Sequence, residues 1–440
     1  MQLDERLFRH EAGRMVAALT RLLGVHNLAL AEDVVQEAFC RAADVWKFRG
    51  VPENPSAWLM ATAKNCALDA LRRERTARTF APELKRHLQS EWTLAPVVEE
   101  FFAADAIRDD LLRMMFTCCH PRLPEAAQIA LILHVLCGFG VGEVAAALMS
   151  SHDAVEKRLS RGKQVLAGSK RLFDVAMAGE FDARVPAVRR ALYLLFNEGY
   201  HGASPQATVR AELCREAMRL TALLLDHPQA RKPATHALAA LMALNAARLP
   251  ARIDASCDLV PFFEQDRSQW DRRLIAEGLR LLSLAANGGE VSSYHLEAAV
   301  AAVHARAASS EDTDWAEIVW LYDMLMAVRP GPVVALNRAI AVAEKEGPDR
   351  GLEEIGAIDR SDRLAAYPFF PAALGELELR RGDRAAARGH FRTALALARS
   401  PAERRHYGRR IEACDAPHDR PTHGNVAPVQ GLSDGTRARS

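Results

Sequence analysis

The residues with the most chemistry to offer sit on two consecutive helical patterns. In residues 31–46, Val34, Val35, Ala38, Phe39, Ala42, Ala43 and Trp46 recur at helical spacing, which leaves Asp33, Gln36, Glu37, Arg41 and Asp44 on the other side. In residues 58–73 the apolar stripe is Trp58, Leu59, Thr62, Ala63, Cys66, Ala67, Ala70 and Leu71, while Asn65, Asp69, Arg72 and Arg73 face away. Both helices keep a polar face that a core does not need. The first is acidic, and the second, with Lys64, ends strongly basic and suits a nucleic acid backbone. An isolated acidic helix face is usually just solvated; the order and spacing of the two patterns argue for binding.

Other reactive residue types lead nowhere catalytic. Cys118, Cys119 and His120 are adjacent, without the spaced ligands of a zinc site, so no metal is expected. Glu198 and His201 invite acid/base chemistry, yet no nucleophile, metal set or phosphate loop accompanies them. A helix end with a turn across Gly199 to Gly202 is the simpler reading of Asn197, Glu198, Tyr200 and His201. The expectation is a binding protein with no catalytic residues and no cofactor.

A second constellation follows at residues 129–166. An apolar helix over 129–137 breaks at Gly138-Phe139-Gly140, a short helix covers 141–148, and a basic helix starts near His152 with Ser151 as its N-cap. This is a helix-turn-helix layout, although an ordinary helical corner has the same outline. Val155 and Leu159 anchor the second helix. That leaves His152, Asp153, Glu156, Lys157, Arg158, Ser160, Arg161 and Lys163 to face DNA, with Arg158 and Arg161 suited to base edges or phosphates. Gly162 weakens this helix by roughly 1 kcal/mol relative to Ala, so fraying is expected at its end.

The acidic AEDVVQEAF helix followed by the Trp58-Leu59 and Lys64-to-Arg73 pattern resembles region 2 of an extracytoplasmic function sigma factor, and residues 129–166 resemble region 4 of the same family. The resemblance implies core RNA polymerase as partner through Asp33, Gln36 and Glu37. It implies capture and melting of the minus-10 element of promoter DNA through Lys64, Asn65, Asp69, Arg72 and Arg73. Reading of the minus-35 element falls to His152, Lys157, Arg158, Arg161 and Lys163. Glu156 and Gly162 depart from the family pattern, so the DNA sequence read does not carry over. The stretches FTCCHP at 116–121 and RRALYLLFNEGYHGAS at 189–204 resemble a subgroup with a C-terminal tetratricopeptide-like extension.

Composition bounds the rest. A chain of 440 residues is long enough for two or three cores. Its net charge of +1 is an average over clustered charges, since Arg72, Arg73, Arg75, Arg78, Lys85 and Arg86 form one basic zone and residues 152–171 another. Eight scattered cysteines without a CxxC pair read as reduced cytosolic thiols. No stretch is long and apolar enough for a membrane span, and a cytoplasmic location is expected.

Helical periodicity dominates throughout, so the fold class is all-α. The expected division is 1–75, sigma region 2 bundle; 76–104, linker; 105–172, helix-turn-helix region 4; 180–415, an α-solenoid-like unit; and 416–440, a disordered tail. Gly375, Ala387, Phe391 and Ala394 keep tetratricopeptide spacing, with a weaker preceding copy at Ala339, Gly351 and Ile355, and Trp315 to Arg329 another first helix. Stacked helical pairs offer a concave surface for a protein or peptide ligand. The competing reading is a tetratricopeptide scaffold or stand-alone DNA-binding regulator that never touches polymerase.

Overall fold

The computed structural model describes residues 5–74, 109–148, 150–168, 178–201, 209–254, 258, 260–359, 361–398 and 400–415. The linker 76–104 and the tail 416–440 fall outside them. Among the described residues there is no strand, and no helix is long and apolar enough to cross a membrane. The expected all-α class holds.

Three helices open the chain: α1 (Glu5–Leu23), α2 (Leu28–Arg49) and α3 (Pro55–Glu74). Gly50, at φ 78°, ends α2 in a backbone conformation that suits glycine, and the Asn54 side chain caps the Ala57 N–H at 3.0 Å to start α3. The two helices lock through Trp46 and Trp58, edge to face with ring centres 5.4 Å apart.

The next group is α4 (Asp110–Cys118), α5 (Glu125–Leu131), α6 (Val141–Ala147) and α7 (His152–Ala167). Helix α5 continues as a π-helical turn over Ile132–Leu136. Each start has a side-chain cap where the sequence supplies one: Asp109 accepts from the Leu112 N–H, Glu143 from the Gly140 N–H and Ser151 from the Ala154 N–H. The fraying expected from Gly162 is corrected: α7 runs on to Ala167, and Gly162 is buried where a Cβ would stand 2.7 Å from Leu131 Cδ1. The glycine allows α7 to lie close on α5.

Among the described residues eleven further α-helices follow, α8 (Ala178–His201), α9 (Ala211–Asp226), α10 (Pro233–Ala246), α11 (Arg272–Ala285), α12 (Ser293–Arg306), α13 (Trp315–Val328), α14 (Pro332–Glu346), α15 (Pro348–Gly356), α16 (Phe369–Arg381), α17 (Arg384–Leu397) and α18 (Pro401–Asp415). Proline opens α10, α14, α15 and α18, at the position where its missing N–H costs nothing. At Gly375 a Cβ would meet the Phe391 ring at 2.8 Å, which brings α16 close to α17. The array curls back on itself: Arg405 and Arg409 of α18 both pair with Asp258, and the His201 ring lies 6.3 Å from Phe369.

One apolar core runs without interruption from Met15 in α1 to Ala298 in α12. It includes Phe116, Leu131, Val155, Phe196 and Leu241, so the first three helices, the helix-turn-helix group and α8–α12 share it. Each large side chain removed from water there contributes about 1.5–3 kcal/mol. Smaller clusters centred on Leu336, Ile318 and Phe391 lie under the later helices.

Candidate nucleic-acid and polymerase interface

Helix α2 buries Ala31, Val34, Val35, Ala38, Phe39, Ala42 and Trp46, and turns Asp33, Gln36 and Glu37 to solvent. Ala43, expected on the apolar stripe, is exposed. Glu37 accepts from Arg41 Nε at 2.8 Å, which leaves Asp33 and Gln36 as the open part of the face.

On α3, Asn65 and Asp69 are exposed and Lys64 is half-buried with a partner. The Arg72 and Arg73 side chains, and residues 75–100, lie outside the described residues. Trp58 is half-buried against Trp46 and buttresses the turn between α2 and α3. Sequence reasoning gave Phe48 no defined role; its ring is 84% exposed, set between Lys47 and Arg49, with Val51 exposed beyond Gly50. The available signal was an aromatic between two cations directly before a glycine. Such a ring with flanking positive charge can stack a base and hold its phosphate.

Helix α7 buries Val155, Leu159, Gly162 and Leu166 and exposes His152, Asp153, Glu156, Lys157, Ser160 and Arg161. His152 lies 3.7 Å from Glu156. Two of the expected DNA residues are engaged within the protein. Arg158 donates to Ser150 Oγ at 2.9 Å, and Lys163 Nζ pairs with Glu32 Oε1 on α2 at 2.8 Å.

Further contacts join the N-terminal helices, the helix-turn-helix group and the C-terminal helices. A Cβ on Gly13 would stand 1.8 Å from the Leu136 carbonyl oxygen, so α1 meets the π turn backbone to side. Arg21 pairs with Asp110 at 3.2 Å, Arg14 with Glu216 at 3.3 Å and Arg219 with Asp109 at 2.9 Å. From the C-terminal helices, Arg184 donates to the Phe116 carbonyl, and Arg210 bridges Glu143 of α6 to Glu198 of α8. Glu198 is therefore a buried ion-pair partner. Cys118, Cys119 and Cys137 are buried, and loss of hydration pushes their thiols up, Cys119 to about 12. They are packing residues in thiol form.

An acidic helix face and the second helix of a helix-turn-helix, with its basic residues, are thus joined in one helical protein. The chain belongs to the RNA polymerase sigma factors: residues 7–77 match sigma-70 region 2 and residues 113–166 match sigma-70 region 4. Residues 184–286 match a family of unknown function, DUF6596. An uncharacterised protein of Rhizobium meliloti (strain 1021) is 38% identical over 379 residues, covering 86% of this chain and 88% of the relative. The likeness thus extends well beyond the two sigma regions. No solved structure matches.

Proposed function

We propose that the protein is an extracytoplasmic function sigma factor whose C-terminal tetratricopeptide-like extension regulates it or holds a protein or peptide partner. In this reading residues 1–75 bind core RNA polymerase and the minus-10 element, 76–104 link, 105–172 read the minus-35 element and 180–415 form the extension, in the cytoplasm. Asp33, Gln36 and Glu37 dock on polymerase. Lys64, Asn65, Asp69, Arg72 and Arg73, with Phe48, hold the melted edge of the promoter, and His152, Lys157, Arg158, Arg161 and Lys163 engage duplex DNA in the major groove.

The observation that carries this reading is a pair of helices whose apolar faces are used in the core while polar faces stay open, Asp33, Gln36 and Glu37 on α2, and on α7 Lys157 and Arg161 beside Asp153 and Glu156. Gly375 against Phe391 and the buried Ala387 and Ala394 support the repeat-like extension. The helix pairing also implies a movement. Two promoter elements at least two DNA turns apart are separated by roughly 70 Å, whereas Lys163 and Glu32 touch. Helices α2 and α7 separate when both elements are bound.

Core binding tests the reading. In pull-down with bacterial core polymerase, the D33A/E37A double variant is expected to lose at least tenfold in affinity while keeping its helical content. Unchanged binding, or none by the parent protein, supports the stand-alone DNA-binding regulator.

A further inference from the structure

Behind the face so far discussed, the C-terminal helices enclose a group of cations without counter-charge. Arg248 stacks over Phe262 at 4.2 Å and near Trp270 at 5.4 Å, and its Nε and Nη2 share one acceptor, Gln265 Oε1, at 3.3 Å. Arg252 lies over the Tyr200 ring at 4.0 Å, and its Nε is buried with no hydrogen-bond partner among the described residues. Arg267, beside the same Trp270, is committed to the His304 and Ala307 carbonyls and to Thr313.

Four donor-capable atoms in this group are buried with no partner among the described residues: Tyr200 Oη, Arg252 Nε, Trp270 Nε1 and His304 Nδ1. Leaving such a group unsatisfied is costly; four within one linked set of arginines and rings, three of them obligate or usual donors, point to a missing acceptor. The charges acting on Arg248 are Arg252 and Arg267, with the Tyr200 hydroxyl, and no carboxylate is among them. Burial pushes that guanidinium down to about 10, unusual for a group that stays charged in nearly every setting.

Most carboxylates on the neighbouring elements are already used. Glu198 pairs with Arg210, Asp258 with Arg405 and Arg409, and Glu376 with Arg410; Asp312 acts on Arg267, and Asp254 and Glu264 line the adjoining cleft. The sequence holds no acidic residue at 202–208, 255–257 or 259. The group opens to solvent through Arg248 and Arg252, which are half-buried, and beside the exposed His201, while the four unpartnered atoms lie beneath. Loss of hydration first, then Arg252 and Arg248, lower the His201 imidazole to about 3. The adjoining cleft of about 320 Å³ by His406, Arg409 and Arg410 has its arginines paired and is a poorer anion site.

We infer that Tyr200, Arg248 and Arg252 form a binding site for the oxyanion group, phosphate or carboxylate, of a small ligand held in the concave face of the C-terminal extension. The guanidiniums supply charge and the Tyr200 hydroxyl a further donor, while Phe262 and Trp270 hold the arginines in place. The site is independent of the sigma regions, and its test reads binding alone.

The experiment is calorimetric titration and thermal melting of the full-length protein with inorganic phosphate and, separately, with succinate, against sodium chloride at matched ionic strength. Saturable one-to-one binding of one oxyanion, with a rise in melting temperature that chloride does not give, is expected; which anion binds separates the two sources. R252Q should weaken it roughly ten- to hundredfold, as loss of a charge-assisted contact does. Y200F, which removes only a hydroxyl and keeps the ring under Arg252, should weaken it about two- to tenfold and decides the matter if R252Q does not fold. No saturable binding of either anion, an equal effect of chloride, or unchanged binding in both variants overturns the proposal.

Discussion

Lys163 of α7, the helix proposed to read DNA, and Glu32 of α2, the helix proposed to face polymerase, form an ion pair at 2.8 Å, across 131 residues of chain. The pair ties the two helices to each other. Both side chains are partly solvated, so the pair is worth about 0.5–1 kcal/mol. E32Q is expected to raise affinity of the protein for a duplex minus-35 element about two- to fivefold, and E32K, which repels Lys163, should raise it further. Fluorescence anisotropy measures both; an unchanged or lower affinity in E32K would show that the contact does not restrain α7.

Gly13 supplies a test of the same junction without touching a charge. The Cβ of G13A would stand 1.8 Å from the Leu136 carbonyl oxygen, so α1 and the π turn must move apart. The expected cost is about 1–3 kcal/mol in urea unfolding, with wider separation of labels placed on α2 and α7. A variant as stable as the parent would mean the approach of the two backbones is looser than described.

Thiol chemistry probes the acidic face directly. Of the seven described cysteines only Cys40, on α2 between Phe39 and Arg41, is exposed. Maleimide labelling should reach Cys40 in the native protein and Cys118, Cys119, Cys137 and Cys214 only after unfolding. A bulky label at Cys40, beside Gln36 and Glu37, should lower core-polymerase affinity at least tenfold, and a C40S protein treated identically should be unaffected.

Acid should destabilise the C-terminal helices through His304. Burial, then Arg248 and Arg267, push this imidazole down to about 3 from an ordinary 6.5. Between those values the unfolded chain carries a proton that the folded chain does not, so its contribution is complete above pH 6.5 and declines as pH falls toward 3. His406, lowered to about 4, acts in the same direction. Urea midpoints measured across pH 7 to 4 should fall less steeply for H304Q than for the parent; parallel curves would exclude His304 from the effect.

What the sequence reveals depends on the range of the interactions involved. The acidic face of α2, the N-cap Ser151 and the anchors Val155 and Leu159 are all set by neighbours three or four residues away, and each is legible as periodicity. Gly162 was visible but misread, because its reason is a contact with Leu131 rather than a local preference. The junction of Gly13 with Leu136 and of Glu32 with Lys163 leaves no local trace at all. The Tyr200, Arg248 and Arg252 group joins residues about fifty positions apart, and the one signal was two arginines four residues apart with no acidic residue between them.

The central claim is promoter-directed initiation, and run-off transcription tests it most directly. Fragments of the source genome are transcribed by bacterial core polymerase with and without the protein, and transcript starts are mapped. The account predicts discrete new starts that share two spaced upstream elements and disappear with D33A/E37A. No new starts from a folded protein and an active core, both with the full chain and with residues 1–175, would contradict it.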